Sequence, residues 1–173
     1  MNYLLSHCQI VRWKTKEKII AADTLQQTLF FLTQGLVRGF YVDDKGNEIT
    51  VRFVDRAGWV THYTALLANA PSRYTFQALE ACTVVSIPFQ AIQEGYIRHQ
   101  GLERFGRLVA ESVLRSQQLR IESFQFSDAE TRYLEFIEEY PTLFNRVSLS
   151  HLSTYLGIQR QSLSRIRRKI AGA

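Results

Sequence analysis

The hydrophobic periodicity of this chain changes once, at Pro88, and that change limits the fold more than any other feature. Before it, apolar residues come in short runs separated by turn chemistry. In EITVRFV (48–54), Ile49, Val51 and Phe53 alternate with Thr50 and Arg52, the period of two expected of a half-buried strand. LFFLTQG (29–35) is an apolar run closed by glycine, and LVRGFYV (36–42) runs into Asp43-Asp44-Lys45-Gly46-Asn47, a hairpin loop. Ala57-Gly58 marks a further turn. YTFQALE (74–80) and TVVSI (83–87) supply two more strands, and Pro88 ends the series. Residues 10–90 therefore read as many short strands at regular spacing, which implies a sandwich or barrel.

Beyond Pro88 the pattern becomes helical. From about Ile92 to Phe124, Leu102, Phe105, Val109, Val113 and Leu119 fall near three-to-four spacing, with Arg and Glu on the other side. An amphipathic helix of about 20 residues, ~30 Å long, is expected here. Ser112 and Ser116 interrupt its seam, so packing on the barrel and pairing with a second copy both remain open. SDAETRYLEFIEEYP then starts a new unit, with Ser127 as helix cap, acids in the first turn and Pro141 as the stop.

The stretch SLSHLSTYLGIQRQSLSRIRRKI (148–170) carries the chemistry. Ser148 caps a short helix to Leu156, and Gly157 supplies the left-handed residue of a tight corner. Leu152, Leu156, Ile158, Leu163 and Ile166 place apolar groups where two helices cross at roughly a right angle. Ser153 is small where the second helix comes close. A small residue, a glycine four later and apolar positions around both form a helix-turn-helix pattern. Arg160, Gln161, Ser164, Arg165 and Arg168 then lie away from the apolar stripe. Arginine donates two hydrogen bonds to guanine and glutamine pairs with adenine, whereas Ser162, Ser164 and Lys169 suit phosphate or sugar.

Charge points the same way. The net charge is +5, and five of the 21 basic residues but none of the 16 acidic ones lie beyond Val147, so the first 147 residues are balanced. That asymmetry fits a polyanionic partner. Other classes are thinly supported. No apolar run approaches the ~18 residues of a membrane span, and MNYLLSHCQIVRWKTK lacks the features of a signal peptide. Cys8 and Cys82 read as reduced thiols of a cytoplasmic protein. His7, His62, His99 and His151 are dispersed, which offers neither a metal site nor a haem ligand. Two thiols are too few for an iron–sulfur cluster.

At LGIQRQSLSRIRRK the sequence resembles the C-terminal motif of Crp/Fnr-type regulators. LFFLTQGLVR (29–38), the acidic-glycine hairpin and PSRYTFQALE (71–80) resemble that family's cyclic-nucleotide-binding-like β-roll, and the long helix its dimerisation helix. The resemblance covers nearly the whole chain. It implies an α+β fold, with an N-terminal antiparallel β-roll of jelly-roll type at 1–90, a dimerisation helix at 91–126 and a helix-turn-helix domain at 127–173. It also implies a homodimer reading a two-fold symmetric operator through Arg160, Gln161 and Arg165, with RNA polymerase as a candidate further partner.

The sequence departs from the family in two places. Family members that bind cyclic nucleotides use a glycine-glutamate pair and an arginine-serine pair. Here those positions carry Thr61-His62 and Ser72-Arg73, which moves the arginine by one residue, and in a strand that turns it to the opposite face. Bulky Tyr63 and Tyr74 are placed to fill the pocket. Cyclic AMP is therefore not expected to bind, and Thr61, His62, Ser72, Arg73 and Tyr74 become the candidate lining for another effector, or for none. The second departure is that no β-hairpin wing is expected after the recognition helix, and Gln159 is a weak cap for it. Two other readings stay open: a small-molecule-binding β-barrel module with a degenerate helix-turn-helix, and a cupin-type enzyme, for which clustered ligands are missing. The reading carried forward is a DNA-binding regulator, not an enzyme.

Overall fold

The computed structural model describes residues 2–55 and 57–171. They form two compact units, Met1–Asn47 with Val51–Arg107, and Glu48–Thr50 with Leu108–Ala173. Eight strands, all in the first unit except for the first three residues of β5, are described: β1 (Gln9–Trp13), β2 (Lys18–Ile20), β3 (Thr28–Gln34), β4 (Leu36–Val42), β5 (Glu48–Asp55), β6 (Gly58–Val60), β7 (Thr75–Ala78) and β8 (Cys82–Pro88). They make two four-stranded sheets, ordered β1-β8-β3-β6 and β2-β7-β4-β5. β8 pairs antiparallel with β1 and β3, and β7 with β2 and β4. This is the expected β-roll.

The alternation read in β5 is not kept: Thr50 is buried there, while Ile49 and Val51 are only half-buried. Leu32, Val37, Val60, Phe76, Ala78 and Val84 meet between the sheets with Trp13 and Ile20. The turn from β4 to β5 is fixed by Asp43, whose carboxylate accepts from the backbone N–H groups of Lys45 (2.9 Å) and Asn47 (2.8 Å). Arg38 of β4 is fully buried, with its guanidinium 4.5 Å above the Phe40 ring. Five elements were not named from the sequence, β1 and β2 among them. A short helix α1 (Asn2–Leu5) precedes the roll, Gly58 belongs to β6 rather than to a turn, and α2 (Tyr63–Leu67) follows it.

The single helix expected across 92–124 is two helices, α3 (Phe89–Arg98) and α4 (Gln100–Phe126). His99 between them is extended, at φ −139° and ψ 98°. The bare backbone of Gly95 lets Leu102 fold back against α3, and a Cβ there would collide with the leucine. α4 is 27 residues long, beyond the 20 anticipated, and buries none of its side chains.

In the second unit, α5 (Ala129–Glu139), α6 (Leu149–Leu156) and α7 (Arg160–Ala171) pack mutually. Tyr133, Phe136, Leu143, Leu152, Leu156, Ile158 and Leu163 form its buried core. The cap of α5 is Asp128, which accepts from Thr131 N–H at 2.8 Å. Ser127, expected in that role, instead gives its hydroxyl to Glu135 (3.1 Å). An acidic side chain accepts more strongly than a hydroxyl from the positive end of a helix. Among the described residues no helix is long and apolar enough to cross a membrane.

Candidate nucleic-acid interface and effector position

The corner between α6 and α7 is built as its residues dictate. Ser148 Oγ accepts from His151 N–H at 3.1 Å and starts α6. Gly157 ends it in the left-handed region, at φ +64°. Ile158 N–H donates back to Ser153 O (2.9 Å), the closing bond of a glycine-terminated helix. Leu163 N–H then donates to Gln159 O (2.9 Å), which begins α7. Ser153 is buried, as close helix approach requires. Leu152, Leu156, Ile158 and Leu163 are buried and Ile166 half-buried, which seats one face of α7.

The other face carries the residues singled out in the sequence. Arg160, Gln161, Arg165 and Arg168 are exposed, and Ser162 and Ser164 are half-buried. Lys169, expected among the phosphate contacts, is exposed as well. Its ammonium donates to both carboxylate oxygens of Glu130 in α5, each at 2.8 Å. Arg167 lies 4.5 Å over the Phe144 ring and hydrogen-bonds Tyr133. The five basic residues thus divide: Arg160, Arg165 and Arg168 face solvent, and Arg167 and Lys169 are tied within the unit. Exposed arginines on the second helix of such a corner have the donor geometry that base edges and phosphates require.

In the first unit, the five residues proposed as effector lining do come together. His62 Nδ1 accepts from Arg73 N–H (3.2 Å), so the ring proton sits on Nε2, 3.0 Å from Thr64 Oγ1. Ser72 Oγ lies 3.2 Å from the same Nδ1, donates to Tyr74 O (2.8 Å) and accepts from Tyr74 N–H (3.1 Å). The Tyr74 ring is 4.4 Å from that of His62. Sequence reading missed Gln26. Its buried amide donates to Thr61 Oγ1 (2.7 Å) and accepts from His62 N–H (3.1 Å), closing the network from behind. A glutamine in the connection before β3 carries no sequence signal for such a role. Tyr63 opens α2 beside Tyr96.

Arg73 lies in the loop ahead of β7 rather than in a strand, and it is exposed. Burial pushes the His62 imidazole below its ordinary pKa, and the nearby Arg73 guanidinium adds to the shift, so the ring is neutral at neutral pH. Ser72 is spent on Tyr74. The two cysteines are free thiols, Cys82 buried and Cys8 half-buried. Among the described residues no group of three His, Cys, Asp or Glu side chains gathers as metal ligands would.

Comparison with known proteins fits this architecture. Residues 10–99 match the cyclic nucleotide-binding domain family. Over 94 residues the chain is 20% identical to the cAMP-activated global transcriptional regulator CRP of Salmonella typhimurium, covering 54% of this chain. The match spans 45% of that regulator, less than half its length. Among solved structures, FixK2 from Bradyrhizobium japonicum is similar with a TM-score of 0.83 at 14% identity, over 95% of this chain and 85% of that one. A CRP/FNR-family transcriptional regulator from Thermus thermophilus gives 0.73 at 16% identity, over 94% and 86%. The fold is thus that of the Crp/Fnr regulators. The chain belongs to the cyclic nucleotide-binding domain family.

Proposed function

We propose that this chain is a sequence-specific, DNA-binding transcriptional regulator of the Crp/Fnr type, acting as a homodimer on a palindromic operator without cyclic AMP. The observation that carries the reading is the outer face of α7. Arg160, Gln161, Arg165 and Arg168 are exposed there, on a helix whose other face is seated by Leu163 and whose start is set by the Gly157 corner. In this reading Arg160, Gln161 and Arg165 meet base edges, and Ser162, Ser164 and Arg168 meet the backbone. Lys169 joins them only by leaving Glu130.

Dimerisation through α4 is supported by its surface. Phe105, Leu108, Leu114, Leu119 and Phe126 are exposed along a helix that buries none of its residues. Phe105, Ser112, Leu119 and Phe126 recur every seven residues, a spacing that returns side chains to one seam when helices pair. A second copy would cover this seam and place two recognition helices about 34 Å apart, one turn of the duplex. In this scheme residues 1–90 are the β-roll, 91–126 the dimerisation segment and 127–173 the reading domain. The protein would work in the cytoplasm, with RNA polymerase as its further partner.

Independence from cyclic AMP is supported by the closed network of Gln26, Thr61, His62, Ser72 and Tyr74. Selection of bound DNA from a random pool tests the central reading. The expected product is a two-fold symmetric sequence, and a pool left unenriched refutes it. Cyclic AMP at about 1 mM is expected to leave the unfolding temperature unchanged, and a rise of several degrees would show that the network opens.

A further inference from the structure

We infer that Arg120 and Arg132 clamp the helix-turn-helix corner onto α4 and thereby set the half-site spacing that the dimer accepts. The inference rests on the DNA-binding reading above and adds residues that lie outside the reading face. It starts from the backbone groups at the end of α6. A helix leaves its last four carbonyls without partners inside the helix. Here Ser153 O accepts from Ile158 N–H and Thr154 O from Gly157 N–H, which are bonds of the corner itself. The remaining two are met by arginines from other helices. Arg120 Nη2 of α4 donates to Tyr155 O at 2.7 Å, and Arg132 Nε of α5 donates to Leu156 O at 3.0 Å. Cations at the negative end of a helix are favoured by its dipole as well as by the bond.

The same side chains are also stacked. The Arg120 guanidinium lies 3.9 Å from the Tyr155 ring centroid and 4.9 Å from that of Phe124. Arg132 lies 5.4 Å from the Phe124 ring and donates through Nη1 to Ser127 O (2.6 Å), at the junction between α4 and α5. Phe124 in turn sits against Gly157, where a Cβ would come within 2.7 Å of the ring. Glu135 of α5 completes the junction by accepting from Ser123 Oγ at 2.7 Å and from Ser127 Oγ at 3.1 Å. The last turns of α4, the cap of α5 and the α6–α7 corner therefore meet in one stack of planar groups. Each bond to the corner is directional and made by a rigid fork, which a lysine ammonium would not reproduce.

Geometry gives this stack a consequence for DNA. If α4 forms the dimer seam, the angle at which the corner leaves α4 fixes the separation of the two recognition helices. Arg120 and Arg132 are then positioning residues. They touch no base, yet they determine which half-site spacing fits. Loosening them should widen the accepted spacings while leaving the preferred half-site unchanged, because Arg160, Gln161 and Arg165 are not disturbed. A merely structural arginine would instead lower stability and affinity for all spacings together.

The test is selection from random DNA with the full chain, followed by binding to the selected operator and to versions with one base pair added or removed between half-sites. Wild type is expected to reject the mis-spaced operators by about tenfold or more, since one base pair also rotates the second half-site by about 35°. Arg120→Ala, Arg120→Lys and Arg132→Lys are expected to cut that discrimination to about threefold or less and to enrich the same half-site. The lysine variants keep the charge and the aliphatic stem, and thermal unfolding confirms that they are folded. Folded variants that keep the wild-type spacing discrimination, or that lose the half-site preference itself, overturn the clamp. A wild-type chain that selects no half-site defeats the DNA-binding reading and the clamp with it, so the wild-type result alone separates the two failures.

Discussion

The β-roll and the α6–α7 corner use similar polar residues in opposite ways. Around His62, the polar groups of Gln26, Thr61, His62 and Ser72 bond one another or nearby backbone, and an aromatic ring covers the imidazole. On α7, Arg160, Gln161 and Arg165 stand in solvent on a helix whose backbone and core are already satisfied. A closed network leaves little to offer an anionic ligand, whereas an open face offers its donors.

Leu163→Ala should have the largest effect, because its fully buried side chain seats α7. A loss of about 2–5 kcal/mol in unfolding free energy is expected, with DNA binding lost in parallel. Denaturant titration followed by circular dichroism measures it. Arg165→Ala should leave that stability unchanged but weaken operator binding by ~1–3 kcal/mol and relax one base position. Equal binding by the variant would remove Arg165 from the reading face. Ser148→Ala removes the bond to His151 N–H and should cost about 1 kcal/mol of stability through α6.

The smallest effect concerns the closed region. His62 is held below its ordinary pKa, so the unfolded chain binds the proton more readily than the folded one. Stability is then highest where the imidazole is neutral in both states and falls as pH drops through about 6.5. The unfolding temperature should decline between pH 7.5 and 5.5, and His62→Asn should shrink that decline. An unchanged decline would place the pH dependence elsewhere.

Some of this was legible in the residues. β4 was bounded correctly at 36–42 because Gly35 and Asp43 interrupt the apolar run on either side, and β8 ends at Pro88 as proline requires. Ser148, Leu156 and Gly157 gave the limits of α6, since a capping hydroxyl and a left-handed glycine act locally. Features set by tertiary packing were hidden. The break at His99 depends on Leu102 lying over Gly95, and no proline announces it. Lys169 looked like a free cation until α5 brought Glu130 beside it. Arg120 and Arg132 had the pattern of solvated helix charges, and only their distances to the carbonyls of α6 show otherwise. Thr61, His62, Ser72, Arg73 and Tyr74 were singled out through the family resemblance, whereas Gln26, 36 residues before His62, enters their network only in the fold.

The salt dependence of binding to the selected operator and to a scrambled duplex tests DNA recognition by α7. If α7 of two protomers meets DNA as described, log affinity should fall with log salt at a slope of about −3 or steeper, reflecting several released counterions. The operator should also be preferred over the scrambled duplex by about a thousandfold or more. A flat slope, with equal binding to both duplexes, would contradict the account.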